Sequence, residues 1–192
     1  PALLCGNSVI LKPSALASLS IIRLAQLITE AGLFKGSLNV ITSSRPKAGA
    51  ELVEHAGVDM ITFSGGSLTG QEVMRSAAQD IKKIVLELGG KSANIVFADC
   101  DEDAALGGAL TAIFMNQGQM CTAGSRLLVE DVIYDRFVSK LVERAKTLKI
   151  GDASDFQTEF GPVIGREHRD RILSFIERGK TEGAKLLCGG KI

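Results

Sequence analysis

Cys121 sits in Asn116-Gln117-Gly118-Gln119-Met120-Cys121-Thr122-Ala123-Gly124-Ser125, among small residues that follow an apolar, Ala-rich run. A nucleophilic thiol needs room for its substrate and backbone N–H groups facing the oxyanion that it creates, and glycine-rich flanks allow both. The competing interpretation of a lone cysteine is an inert, packed thiol. Glu87 in Leu86-Glu87-Leu88-Gly89-Gly90-Lys91 is the second candidate, a carboxylate at the C-terminal end of an apolar stretch. In open α/β sheets ligands gather at that end of the strands, so such a carboxylate can act as a general base. Alternatively it is satisfied by nearby backbone or by a lysine. The third is Ser64-Gly65-Gly66-Ser67-Leu68-Thr69-Gly70, placed between a predicted strand and a predicted helix. Free N–H groups and the helix dipole favour phosphate there. The segment is neither G-x-G-x-x-G nor a P-loop, and the plain alternative is a tight strand-to-helix turn.

These residues need a scaffold, and the apolar pattern predicts one. Residues 7–11, 38–42, 60–64 and 83–88 are short apolar runs that predict strands. Between them lie helical patterns: one begins after Ser18 or Ser20 and stops at Gly32, one covers 47–55, and one runs from the glycine-rich turn to about Ala78. Strand and helix alternating in this way imply a parallel sheet covered by helices, because parallel neighbours need a crossover. Beyond Gly89-Gly90, the candidate boundary, residues 93–97 and 126–129 predict strands and 101–115, 131–148 and 166–181 predict helices. Asp131 is placed to cap its helix. Residues 185–188 predict a last strand.

Composition narrows the partners. Twenty-two Lys and Arg balance 22 Asp and Glu in 192 residues, which gives no electrostatic reason to expect nucleic acid or an anionic membrane. No apolar stretch reaches the roughly 18 to 20 residues of a membrane span, and the start does not follow the order of a signal peptide. Cys5, Cys100, Cys121 and Cys188 form no C-x-x-C, and His55 and His168 have no partner at ligand spacing, so no metal site is expected. Reduced thiols and a cytoplasmic location are the expectation. Residue 1 is Pro rather than Met and the chain stops just after an apolar run, which predicts an internal piece of a longer protein.

Taken together the motifs resemble the aldehyde dehydrogenase superfamily along essentially the whole chain. Leu86-Glu87-Leu88-Gly89-Gly90-Lys91-Ser92 is similar to that family's glutamate signature, and Phe114 through Ser125 to its cysteine signature. Lys12-Pro13-Ser14 is similar to its cofactor-binding Lys-Pro-Ser, and Phe63 through Gly70 to its Phe-Thr-Gly-Ser-Thr-x-x-Gly turn. The resemblance implies an α/β fold in which a Rossmann-like parallel sheet of the cofactor domain precedes part of an α/β catalytic domain. Residues 1–89 would be the C-terminal part of an NAD(P)-binding domain, and 90–192 the N-terminal part of the catalytic domain.

It also implies a mechanism and partners. Cys121 would attack an aldehyde, Glu87 would activate the water that releases the acid, and Lys12, Ser14, Gly65, Gly66, Ser67, Gly70 and Leu88 would contact NAD or NADP. The full-length protein would be a homodimer or homotetramer, and this stretch alone would be inactive. Acyl transfer to coenzyme A or phosphate, a reductive direction, and a noncatalytic binding protein on the same fold are the alternatives. Glu159-Phe160-Gly161-Pro162-Val163 is similar to the family's second cofactor motif but stands too close to Cys121, so its Gly161-Pro162 is expected to be a turn. Ala15 replaces the family's common Glu after Lys-Pro-Ser, Gly66 replaces a common Ser, and Arg45 lies where the family often has glycines near the adenine, either close to a 2′-phosphate or as a solvated loop arginine. Without that Glu, a 2′-phosphate is not opposed, and use of NADP at least as well as NAD is expected.

Overall fold

Val9–Leu11 (β1) and Leu38–Val40 (β2) are short runs whose apolar residues flank one polar or exposed position, and they pair in parallel with Val9 opposite Leu38 and Leu11 opposite Val40. The computed structural model describes residues 1–192, which form two compact units, Pro1–Leu86 and Glu87–Ile192. In the first unit the crossover between β1 and β2 is the helix Leu19–Glu30 (α1). Ser18 precedes it as expected, but its hydroxyl makes no capping hydrogen bond. The exit runs through Gly32 at φ 91, a left-handed turn that costs glycine little.

The rest of the first unit follows the same rhythm. Pro46–Glu54 (α2) starts with Pro at its first turn, where the missing N–H is not needed. Met60–Gly65 (β3) leads through Gly66 into Ser67–Gln79 (α3), and Lys83–Leu88 (β4) pairs with β3. Val73 and Ala77 turn inward from α3. Lys82 ties the unit together, because its ammonium donates to the Val53 and His55 carbonyls at the end of α2, at 2.7 and 2.8 Å. The same group lies 3.5 Å from Asp80, and its side chain is only 3% exposed.

The alternation of strand and helix is as expected, and its strands pair β1 with β2 and β3 with β4. One expectation is corrected here. Leu68, Thr69 and Gly70, expected in the turn, are already helical, and the Gly70 N–H donates to the Gly66 carbonyl at 3.0 Å. A helix leaves its first N–H groups free in any case, so the turn can pass into α3 without losing bonds.

In the second unit Ala93–Val96 (β5) and Arg126–Val129 (β6) run parallel, with Ala93 opposite Arg126 and Val96 opposite Val129. Glu102–Phe114 (α4) lies between them in the chain. It is capped by Asp101, whose carboxylate accepts from the Asp103 and Ala104 N–H groups at 3.1 Å each. Tyr134–Lys146 (α5) packs on α4, and Val96, Leu106, Ile133 and Phe137 form the core, with Leu106 and Phe137 fully buried. Arg166–Thr181 (α6) is the last helix. The other face of the β5–β6 pair is open, since Ile95 and Leu128 are exposed.

Here too the sequence expectation changes at two points. Asp131 opens a short 3-10 turn, Asp131–Ile133, and makes no cap, because α5 begins only at Tyr134. Residues 185–188 form no strand. A strand requires a neighbouring backbone for its ladder, and none pairs with this apolar run.

Glu102 joins α4 to α5. Its carboxylate lies 2.7 Å from the Lys140 ammonium and accepts from the Arg136 guanidinium at 3.0 Å. Lys140, and then the Arg136 charge, hold its pKa below the ordinary carboxylate value against the opposing effect of desolvation. A carboxylate whose folded pKa is depressed stabilises the fold above its unfolded pKa, and that contribution fades as pH falls through the folded value. Glu102→Gln is therefore expected to lower the melting temperature at neutral pH by more than it does in acid, as thermal melts across roughly pH 3 to 7 would measure.

Candidate functional site

Glu87 and Leu88 are the last residues of β4, and Gly89-Gly90 follow directly. Glu87 is exposed and Leu88 half-buried. The chain then enters β5, and beyond α4 it arrives at Cys121. The two signatures meet at Gly90. An added Cβ there would fall against the Cys121 carbonyl oxygen, well inside contact distance, whereas at Gly89 it would meet open space. Backbone thus lies directly on backbone. Lys91 turns its ammonium back onto the Gly90 carbonyl at 2.9 Å, and the Arg126 guanidinium donates to the Lys91 carbonyl at 2.9 Å.

The Cys121 loop is built from the end of α4. Phe114 ends the helix, and Asn116, Gln117 and Gly118 then take left-handed conformations with φ of 51, 55 and 70. The Gln119 N–H closes this turn on the Asn116 carbonyl at 3.0 Å. After Cys121 the chain is tied down again, because the Gly124 N–H donates to the Ala112 carbonyl at 2.9 Å. A Cβ on Gly124 would lie 3.1 Å from Ala112 and 3.3 Å from Asn94. Cys121 is an exposed, free thiol, and its N–H donates to no protein acceptor. An accessible sulfur beside an unspent N–H is what attack on a carbonyl requires. A cavity of about 490 Å³ between β5 and α4 reaches Thr122 and Gly124 but does not include Cys121 or Glu87.

The cofactor candidates Lys12, Ser14, Gly65, Gly66, Ser67 and Gly70 lie in the first unit. Lys12 follows the C-terminal end of β1, and its alkyl stem passes 3.5 Å from where a Cβ on Gly49 of α2 would stand. Its ammonium has no hydrogen bond or ion pair with protein. The Ser14 hydroxyl accepts from the Leu16 N–H at 3.3 Å. Gly65 closes β3 beneath the Phe63 ring, since a Cβ there would lie 2.6 Å from the ring tip. Gly66 caps α3 with no side chain, no acid lies in the first turn, and nothing stands within 4 Å of where its Cβ would be. The N–H groups that open α3 are consequently free and unobstructed, a donor set that fits a pyrophosphate. Gly70 is buried with its own N–H spent in the helix, so it contributes close packing instead of a donor.

The Glu159 carboxylate accepts the Lys149 N–H at 3.0 Å. No group of three His, Cys, Asp or Glu side chains is assembled that could hold a metal, and no helix is long and apolar enough to cross a membrane. The left-handed run at 116–118 escaped sequence analysis. Asn and Gly are the two residues that tolerate that conformation most readily, so Asn116 and Gly118 bracketing Gln117 were its only trace.

The Aldehyde dehydrogenase family model matches residues 1–192. The chain belongs to the aldehyde dehydrogenase family. The betaine aldehyde dehydrogenase of Bacillus subtilis is 48% identical over 191 residues, covering 100% of this chain and 39% of that protein. Human retinal dehydrogenase 2 is 46% identical over 192 residues, again over 100% of the chain but 37% of its own length. Among solved structures, HpcC of Thermus thermophilus matches with a TM-score of 0.97 at 46% identity, covering 100% of this chain and 37% of that one. The betaine aldehyde dehydrogenase of Staphylococcus aureus in complex with NAD+ matches with a TM-score of 0.92 at 42% identity, covering 96% and 37%. The chain thus spans less than two-fifths of the length of these aldehyde dehydrogenases, and its α/β fold with parallel strands is theirs.

The Gly90 contact can be tested by comparing neighbours. Gly90→Ala forces a methyl group against the Cys121 carbonyl and is expected to cost about 1–3 kcal/mol, the usual range for overpacking. Gly89→Ala, into open space, should be nearly neutral. Denaturant unfolding of the two variants beside the parent reads the difference, and equal stabilities would remove the contact from the account.

Proposed function

We propose that the protein to which this chain belongs oxidises an aldehyde to a carboxylic acid with NAD(P)+, and that the chain supplies its nucleophile and its base. The observation that carries this is the backbone approach of Gly90 to Cys121, which draws the glutamate signature onto the cysteine loop within one unit. The exposed Cys121 thiol and its unspent N–H support the same role.

Cys121 as thiolate forms a C–S bond with the aldehyde carbon, and the carbonyl electrons move onto oxygen, where the Cys121 N–H faces them. A bound nicotinamide would supply the hydride acceptor that turns this adduct into a thioester. Glu87 then removes a proton from water as its oxygen attacks the thioester carbon, and the acid leaves with return of the thiolate. Glu87 as water activator favours hydrolysis over acyl transfer to another acceptor. Lys12, Ser14, Gly65, Gly66 and the N–H groups opening α3 would hold the phosphates. Residues 1–89 serve as cofactor domain in this account and 90–192 as catalytic domain. The intact protein would work in the cytoplasm as a homodimer or homotetramer.

Cys121→Ala in the full-length protein is expected to lower kcat by roughly 10³-fold or more. Glu87→Gln should slow thioester hydrolysis by about 10²–10⁴ and let the acyl-enzyme accumulate, as mass spectrometry of the quenched protein would detect. Unchanged steady-state turnover in either variant removes that residue from the mechanism.

The cofactor choice rests on two positions. Ala15 offers no carboxylate, and Arg45 stands exposed at the start of α2 with no ion-pair partner, its N–H bonded to the Ser43 hydroxyl at 3.0 Å. A guanidinium recognises phosphate well, and an acid that would repel it is missing. NADP should therefore match or exceed NAD in kcat/KM, and Arg45→Ala should lower the value for NADP alone. A preference for NAD by orders of magnitude would contradict this.

A further inference from the structure

Residues 116–118 are held in a conformation that their sequence does not favour. Gly118 takes a left-handed conformation freely and Asn116 at small cost, but for Gln117 at φ 55, ψ 30 it costs about 1–2 kcal/mol. Such strain persists only where the surroundings over-determine it. Within the loop, the Gln119 N–H bond to Asn116 accounts for the turn but does not touch the Gln117 side chain.

The segment beside its side chain is Phe160-Gly161. Gly161 is buried, and a Cβ there would stand 3.1 Å from Gln117 Nε2. The neighbouring Phe160 ring meets Phe114, the last residue of α4, edge to face, with centroids 5.9 Å apart and an interplanar angle of 80°. This segment is itself fixed. Glu159 and Phe160 donate their N–H groups to the Lys149 carbonyl at 2.9 and 3.1 Å, and the Gly151 N–H donates to the Phe160 carbonyl at 3.2 Å. The Glu159 carboxylate accepts the Lys149 N–H, which locks the same corner from the other side.

We infer that Phe160 and Gly161 are positioning residues for Cys121: they clamp Phe114 and Gln117, keep the left-handed turn closed, and so set the direction in which the Cys121 backbone and sulfur face. The Phe-Gly-Pro motif that sequence excluded from the cofactor site thereby acquires a role one loop away. The inference rests on the proposed role of Cys121 as nucleophile.

A double-mutant cycle in the full-length protein tests it, with three readouts: kcat, KM for the cofactor, and the rate at which iodoacetamide alkylates the Cys121 peptide, followed by mass spectrometry. Gly161→Ala is expected to lower kcat and the alkylation rate by about tenfold while KM for the cofactor stays within about twofold, since small misplacements of a reacting group are costly. In a Gln117→Ala background, where the closely packed amide is gone, the same Gly161→Ala step should cost less than about threefold. An equal loss in both backgrounds overturns the inference. Phe160→Leu provides a second arm should Gly161→Ala fail to fold: it is expected to slow alkylation severalfold at unchanged cofactor KM, and alkylation at the parental rate overturns the clamp. Turnover surviving in Cys121→Ala would instead defeat the nucleophile assignment, while alkylation would still judge the clamp.

Discussion

Backbone pressed on backbone is the constraint from which the Cys121 site follows. Gly90 lies against the Cys121 carbonyl, a Cβ on Gly118 would stand 2.9 Å from the Ile113 carbonyl, and Gly124 packs on Ala112 and Asn94 while its N–H holds the Ala112 carbonyl. At Gly90 and Gly118 the facing backbone leaves no room for a side chain, and at Gly124 the Ala112 and Asn94 side chains make the fit tight. At Gly118 its positive φ adds a second requirement. The loop is placed by contacts that do not depend on rotamers, and a sulfur carried on it inherits that definition.

The second unit surrounds this loop with ordinary packing. Leu106 and Phe137 fill the space between α4 and α5, Asp101 starts α4 and the Glu102 ion pairs join the two helices. Fixing α4 fixes Phe114, from which the loop departs. Parallel strands are usually covered on both faces, and β5 and β6 are covered on one, with Ile95 and Leu128 side by side on the other.

Much of this was legible in the sequence, and the failures have physical reasons. Helices with a wide apolar stripe, such as α5 and α1, were found to within a few residues, because periodicity reports directly on burial. The glutamate and cysteine signatures were legible as residue types in order. Residues 185–188 were not, because an apolar run satisfies strand and loop alike until a partner backbone is found. Asp131 failed as a cap because a 3-10 turn intervenes before α5. The clamp on the left-handed turn was hidden for a different cause: the Phe114–Phe160 and Gln117–Gly161 approaches join segments far apart in the chain, and nothing in local composition encodes them.

Lys82 carries a consequence of another kind. Most lysines on a protein surface meet acylating reagents freely, but this ammonium donates to the Val53 and His55 carbonyls and lies 3.5 Å from Asp80, on a side chain that solvent scarcely reaches. Its amine is therefore expected to react slowly with acylating reagents for as long as the end of α2 stays closed. Amine labelling at that single position is therefore a gauge of opening in the first unit, read without reference to catalysis, and one that an arginine, with its wider planar head, would not reproduce.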